Sequence, residues 1–323
     1  MKNLERLVVT MSIKILGTGS CHPKNIVTNN DFKKIETSDE WIYSRTGIKS
    51  RYIAKDETTS FLAIEAAKKA IEASKIDVDK IGLVICATIT PDCFTPCVAS
   101  TILKPLGINR AMAFDINVAC SGFVYGLNIA SSLLKDGEYA LVIGGECMSK
   151  ILDFNDRSSC VLFGDGAGAV VLEKSNNKCF FYANSKTDQN QILKAEGLKN
   201  VRTGHTMRNF KLQMKGQDVF KFALESFDDC FKNMEINNLN LNDVDLIIPH
   251  QANKRIIMSV ARRHEINEEK FYLNLEKYGN TSAGSIAIAL DEAMRDGSIK
   301  PGMKVLLVGF GAGLSWGYCY LEI

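Results

Sequence analysis

This sequence predicts an α/β layered fold made of two pseudo-symmetric halves, on three observations. Short, continuously apolar, β-branched runs alternate with helical stretches along all 323 residues. A strand–loop–helix–strand block in the first half recurs in the second. Within the two copies, Cys120 stands as far before Asp136-Gly137 as Asn280 stands before Asp296-Gly297.

The first strand-like run opens at Met11–Ser12, so residues 1–11 read as an N-terminal extension. Residues 12–175 read as the first half and 176–323 as the second, with the polar stretch from Lys174 to about Gly216 as their connection. In 58–73, Thr59 or Ser60 is placed to cap a helix whose Leu62, Ala66, Ala70 and Ala73 form an apolar stripe. Buried strands follow at 81–88 ("IGLVICAT"), 139–145 ("YALVIGG") and 167–173 ("AGAVVLE"). A second helix is predicted over 217–234, where Val219, Phe220, Ala223, Phe227, Cys230, Phe231 and Met234 recur at helical spacing. Strands at 245–249 ("DLIIP") and 304–311 ("KVLLVGFG") complete the second copy of the block. The glycine-rich stretches 163–172 and 309–317 lack dinucleotide-binding spacing. The first reads as tight turns. In the second, residues 311–313 are placed to bring backbone N–H groups close to a reacting carbonyl.

Composition narrows the function. A net charge of +2, with 24% charged and 46% hydrophobic residues, argues against nucleic acid or an anionic membrane as partner. The ten cysteines are scattered, and Cys93 and Cys97 in "CFTPC" have no second pair or histidine beside them. A zinc site is therefore not expected, and reduced thiols in a cytoplasmic protein are. The N-terminus carries no apolar leader, and no run is long enough to span a bilayer.

Three residues carry chemistry: Cys120 in "NVACSGFVYGL", His250 in "IIPHQAN" and Asn280 in "YGNTSAG". Cys120 starts a helix, whose positive end favours a thiolate. His250 ends a buried strand, and Asn280 repeats the setting of Cys120 in the other half. A thiol, an imidazole and an amide on one cavity suffice to form an acyl-enzyme and stabilise an oxyanion. Papain-like proteases also run Cys, His, Asn in chain order, but their cysteine lies in a setting that "NVACSGF" does not match.

The sequence resembles the β-ketoacyl-acyl-carrier-protein synthase III family from about Ser12 to Ile323. The resemblance is carried by "TSDEWIYSRTGIKSRYI" (37–53), "ACSGFVYGL" (119–127), "LFGDGAGA" (162–169), "PHQANKRII" (249–257), "YGNTSAGS" (278–285) and "GFGAGLSWG" (309–317). It implies a thiolase-like fold in α/β/α/β/α layers, a homodimer, and a decarboxylative condensation that initiates fatty acid synthesis. An acyl-CoA primer loads Cys120. Malonyl-acyl-carrier-protein then enters, its thioester oxygen held by His250 and Asn280, and the backbone N–H groups of Cys120 and Ala312 form the oxyanion hole. The CoA thioester is a substrate, and no further cofactor is implied. Trp41 and Arg157 match the adenine-stacking positions, and Thr37, Gly216, Phe220 and Asn253 the pantetheine tunnel. Lys221, Arg255, Arg262 and Arg263 match a docking patch for the acidic carrier protein. Thr95 stands where many relatives place a phenylalanine that reaches the partner's acyl pocket, so primers larger than acetyl are expected. The alternatives are a thiolase-fold acyltransferase or starter-unit synthase of secondary metabolism with another acceptor, and a catalytically silent binding protein on the same fold.

Overall fold

The structure, a computed structural model, describes residues 9–197 and 211–323. The first half runs β1 (Val9–Cys21), β2 (Ile26–Thr28), α1 (Asp39–Thr46), β3 (Ser50–Tyr52), α2 (Thr59–Ser74), β4 (Ile81–Ala87), α3 (Val98–Thr101), β5 (Met112–Ile116), α4 (Gly122–Leu133), β6 (Tyr139–Cys147), α5 (Arg157–Cys160) and β7 (Asp165–Ser185). There follow β8 (Leu193–Ala195), β9 (Leu212–Met214), α6 (Gly216–Ile236), β10 (Leu246–Pro249), α7 (Lys254–Arg263), α8 (Leu275–Tyr278), α9 (Gly284–Arg295), β11 (Lys304–Gly311) and β12 (Ser315–Glu322).

The repeat in the sequence is a repeat in the sheets. In the first half the order is β5-β4-β6-β7-β1, with β4 parallel to β5 and β6, and β7 antiparallel to β6 and β1. In the second, β10-β11-β12-β7 reproduces β4-β6-β7-β1, again parallel and then antiparallel. A parallel bridge from Phe271 to Ile247 stands where β5 does in the first half. The long strand β7 serves both sheets: Asp165–Glu173 pair with β6, and Cys179–Ser185 pair with β12.

Alternation along the strands sets the layers. Leu83 and Ile85 of β4 turn into a central layer with Val305 and Leu307 of β11, and there they enclose α4 and α9. Val84 and Cys86 turn outward onto α2. Leu306 and Val308 turn outward onto α6 and α7. The result is five layers, helix–sheet–helix–sheet–helix. The central helices approach the sheets at glycine: a Cβ on Gly144 would lie 2.1 Å from the Ala283 carbonyl oxygen at the head of α9.

Several boundaries differ from expectation. β1 begins at Val9, which pairs with Phe181, so Val9–Met11 belong to the strand and not to an extension; residues 1–8 lie outside the described residues. The division at 175/176 falls inside β7, because its polar middle is where the strand passes from one sheet to the other. The stretch from Lys174 therefore starts as strand. Its β8 pairs with β9, and residues 198–210 lie outside the described residues. The cap of α2 is Thr58, whose side chain accepts from the Phe61 N–H, while the Thr59 and Ser60 N–H groups donate to Asp92. Ala73 is exposed; Ala63 and Ala67 complete the buried stripe instead.

Candidate active site

The loops that carry Cys120 and Asn280 each pass through a residue of positive φ just before the functional side chain. Ala119, with φ of 44°, precedes Cys120, and Gly279, with φ of 63°, holds the equivalent place before Asn280. For the alanine this conformation costs about 1–3 kcal/mol, the kind of strain that persists where the surrounding structure fixes it. Cys120 then sits in a short 3-10 turn, Ala119–Ser121, that leads into α4. Gly311 makes room for it, since a Cβ there would lie 2.8 Å from the Cys120 nitrogen. His250 follows the last residue of β10 and is tied to β11 by its N–H donating to the Val308 carbonyl at 2.7 Å.

Cys120, His250 and Asn280 line one pocket of about 220 Å³, together with Trp41, Arg157, Gly216, Phe220 and Asn253. Cys120 and Asn280 are each 6% exposed and His250 only 2%. Burial, with a smaller push from Glu146, raises the Cys120 thiol to about 12. The resting nucleophile is thus a thiol. Desolvation opposes the thiolate that the helix start was expected to favour. Its Sγ donates to Ser282 Oγ at 3.4 Å.

The other two side chains are held as donors. Ser285 Oγ lies 2.7 Å from His250 Nδ1 and accepts from the Gln251 N–H at 3.4 Å. Among the described residues Nδ1 is the acceptor in reach of the Ser285 hydroxyl proton, so the hydroxyl donates to it and the imidazole proton is assigned to Nε2. Burial lowers the His250 pKa to about 3, so the ring is neutral at physiological pH. The amide oxygen of Asn280 accepts from the Ser282 N–H at 2.8 Å, which leaves its NH2 group as the donor.

The remaining predicted residues divide. Thr37 does not line this pocket; its hydroxyl is buried without a partner just before Ser38, the cap of α1. The Arg157 guanidinium lies 4.5 Å from the Trp41 ring centroid, in contact with no space for a base between them. Arg45, which sequence reasoning missed, covers the same ring at 4.5 Å; its spacing four residues from Trp41 on α1 was the available signal. Ala312 lines a neighbouring cavity of about 1200 Å³ with Ala119, Cys93 and Phe94. Thr95 is exposed and lines neither cavity in this chain. Lys221, Arg255, Arg262 and Arg263 are all exposed on α6 and α7, and Arg263 also pairs with Asp228 at 2.7 Å.

Residues 114–189 match the model of the 3-oxoacyl-[acyl-carrier-protein] synthase III family, and residues 234–323 match the model of its C-terminal part. The chain is 45% identical to the β-ketoacyl-[acyl-carrier-protein] synthase III of Clostridium perfringens over 96% of its length and 99% of that protein's. This chain belongs to the β-ketoacyl-acyl-carrier-protein synthase III family. It is 44% identical to the synthase of Clostridium acetobutylicum, with 96% and 98% of the two chains covered. The crystal structure of the Aquifex aeolicus synthase III superposes with a TM-score of 0.88 at 42% identity, covering 96% of this chain and all of that one. As a synthase III it is an acyltransferase-type condensing enzyme with the thiolase-type fold. Among the described residues no helix is long and apolar enough to cross a membrane.

Proposed function

We propose that this synthase condenses an acyl-CoA primer with malonyl-acyl-carrier-protein, giving 3-oxoacyl-acyl-carrier-protein, CoA and CO2, and so initiates fatty acid synthesis. The observation that supports this reading is the convergence of Cys120, His250 and Asn280 on one pocket. Cys120 takes the acyl group from CoA as a thioester. Malonyl-carrier-protein then replaces CoA, and the N–H donors of His250 and Asn280 hold its thioester oxygen while CO2 leaves. Two neutral donors stabilise the enolate without a strong base. The enolate attacks the acyl-Cys120 carbonyl, whose oxygen is held by the backbone N–H groups of Cys120 and Ala312. Trp41, Arg45 and Arg157 present flat cationic and aromatic surfaces for the adenine, and Arg157 swings off Trp41 to admit it. Gly216, Phe220 and Asn253 line the path inward for the pantetheine arm. Lys221, Arg255, Arg262 and Arg263 form the cationic face for an acidic carrier protein.

The test is to incubate the protein with acetyl-, isobutyryl- and octanoyl-CoA, record intact mass, and chase with malonyl-carrier-protein. An acyl adduct on Cys120 that is discharged with CO2 release is expected, with primers beyond acetyl accepted because Thr95 is small. Strict acetyl preference would remove the Thr95 argument. An adduct that malonyl-carrier-protein cannot discharge would refute the condensation.

The same reading makes the protein a cytoplasmic homodimer. β5 is an edge strand paired only to β4 in the sheet order, and Met112 on it and Phe94 beside it are 59% and 76% exposed. Such an edge invites pairing with a second copy. Light scattering is expected to give twice the 35.7 kDa chain mass; a monomer at micromolar concentration would refute it.

A further inference from the structure

Glu146 is fully buried at the end of β6, and the condensation as described above gives it no role. Its Oε2 accepts from Thr88 Oγ1 at 3.0 Å, Thr90 Oγ1 at 2.5 Å and the Thr90 N–H at 3.1 Å. The Ile89 N–H donates to both carboxyl oxygens at 3.1 Å. Its Oε1 also accepts from Ser282 Oγ at 3.2 Å, and Ser282 Oγ is the acceptor of the Cys120 thiol. A hydrogen-bonded chain thus runs from the nucleophile through one hydroxyl to a carboxyl. All the donors on that carboxyl are neutral.

Acylation of a thiol needs a proton acceptor, and His250 does not supply one. Its Nδ1 is occupied by Ser285 and its Nε2 carries the proton. We propose that Glu146 is a positioning and proton-holding residue that acts on Cys120 through Ser282. This rests on the condensation reading above.

As Cys120 Sγ bonds to the acyl carbon, its proton passes to Ser282 Oγ while the Ser282 hydroxyl proton passes to Glu146 Oε1. The carbon–sulfur bond to CoA breaks, and the CoA thiolate takes a proton from solvent. When the enolate displaces Cys120 from the acyl group, the cysteine leaves as a thiolate. Glu146 then returns the stored proton through Ser282. The cycle ends with thiol and carboxylate restored, and the one proton consumed comes from solvent. Burial raises the Glu146 pKa to about 7, a value suited to holding and releasing a proton near neutrality. The titratable groups coupled to this carboxylate are Cys120 at the head of α4 and Cys86 on β4, whose own pKa is raised well above the ordinary value by burial. Both remain thiols across the neutral range, so the carboxyl titrates between neutral partners.

The test follows acylation of Cys120 by acyl-CoA, and its alkylation by iodoacetamide, by intact mass from pH 5 to 9. The wild type, Glu146→Gln and Ser282→Ala are compared. In the wild type both rates are expected to rise through a pH near 7. In both variants acylation is expected to fall by about 10²-fold, with that rise gone. Should Glu146→Gln fail to fold, Ser282→Ala decides, because it leaves the carboxyl and its threonine and backbone donors in place. A folded variant that keeps the wild-type pH rise would overturn the relay, since a purely structural Glu146 changes stability and not the pH profile. A wild type that takes no acyl group at any pH would instead overturn the condensation reading, while the alkylation profile still reports on the relay.

Discussion

With Cys120 replaced by alanine, no acyl-CoA will leave an adduct on the protein, and 3-oxoacyl product formation will fall by roughly 10⁴-fold or more. The expectation rests on position as well as chemistry. Of the ten cysteines in the chain, Cys120 is the one that lines the pocket with His250 and Asn280. Cys86, Cys230 and Cys319 are packed in the core between sheets and helices, where no thioester reaches them. Cys93 is exposed but sits on the loop before α3, beside the neighbouring cavity. Intact mass after acyl-CoA treatment, with peptide mapping of any adduct, checks the prediction. Removing Sγ from a buried site costs about 1 kcal/mol of packing, so the variant remains folded and the loss is chemical. An adduct that persists in Cys120→Ala would place the nucleophile elsewhere.

Why Cys120 and Asn280 were legible, and Ser282 and Glu146 were not, follows from what a linear sequence records. Cys120 and Asn280 announce themselves because the fold is duplicated, and the duplication preserves the interval from each to the glycine turn after its helix. Gly137 and Gly297 close those turns with φ of 81° and 79°. The five buried strands were legible because strands covered on both faces lack polar positions. β12 was missed: its glycine-rich approach resembled a loop, although Trp316, Tyr318 and Tyr320 face one side and Cys319 and Leu321 the other. The half boundary at 175/176 falls in the polar middle of β7, between the segment that pairs with β6 and the segment that pairs with β12.

At the site, the unforeseen residues are those whose meaning is a contact across the chain. Ser282 meets Glu146 across 136 residues and Cys120 across 162, and no spacing rule joins them. The signals were faint. Ser282 stands two residues after Asn280 in "YGNTSAG", and Glu146 is a carboxylate at the end of an otherwise apolar strand. The burial of Cys120 was hidden for a similar reason. A helix start is visible in sequence, whereas the burial that opposes a thiolate is a property of the assembled layers.

His250→Ala and Asn280→Ala will separate the two halves of the reaction. In each variant Cys120 is expected to accept the acyl group, while its discharge by malonyl-carrier-protein falls by about 10²- to 10³-fold, the usual loss for one oxyanion donor. Single-turnover mass measurements of loading and discharge distinguish this from a general loss of activity. Equal losses in both steps would mean that the pair acts on the thiol and not on the enolate. The pH dependence provides an independent check. Because burial holds the His250 pKa near 3, the native imidazole stays neutral and keeps its Nε2 proton well below its ordinary value of 6.5. Discharge therefore shows no decline from this group as pH falls from 7 to 5. Stability behaves differently. Below pH 6.5 the unfolded chain binds a proton on this histidine that the native state excludes, so its contribution to stability declines as pH falls from 6.5 toward 3. Urea unfolding of the wild type and His250→Gln at pH 7 and pH 5 measures that term. The variant is expected to lose less stability on acidification, because it has no buried imidazole for the unfolded state to protonate. If the wild type and variant respond to acid alike, burial does not hold the His250 imidazole neutral.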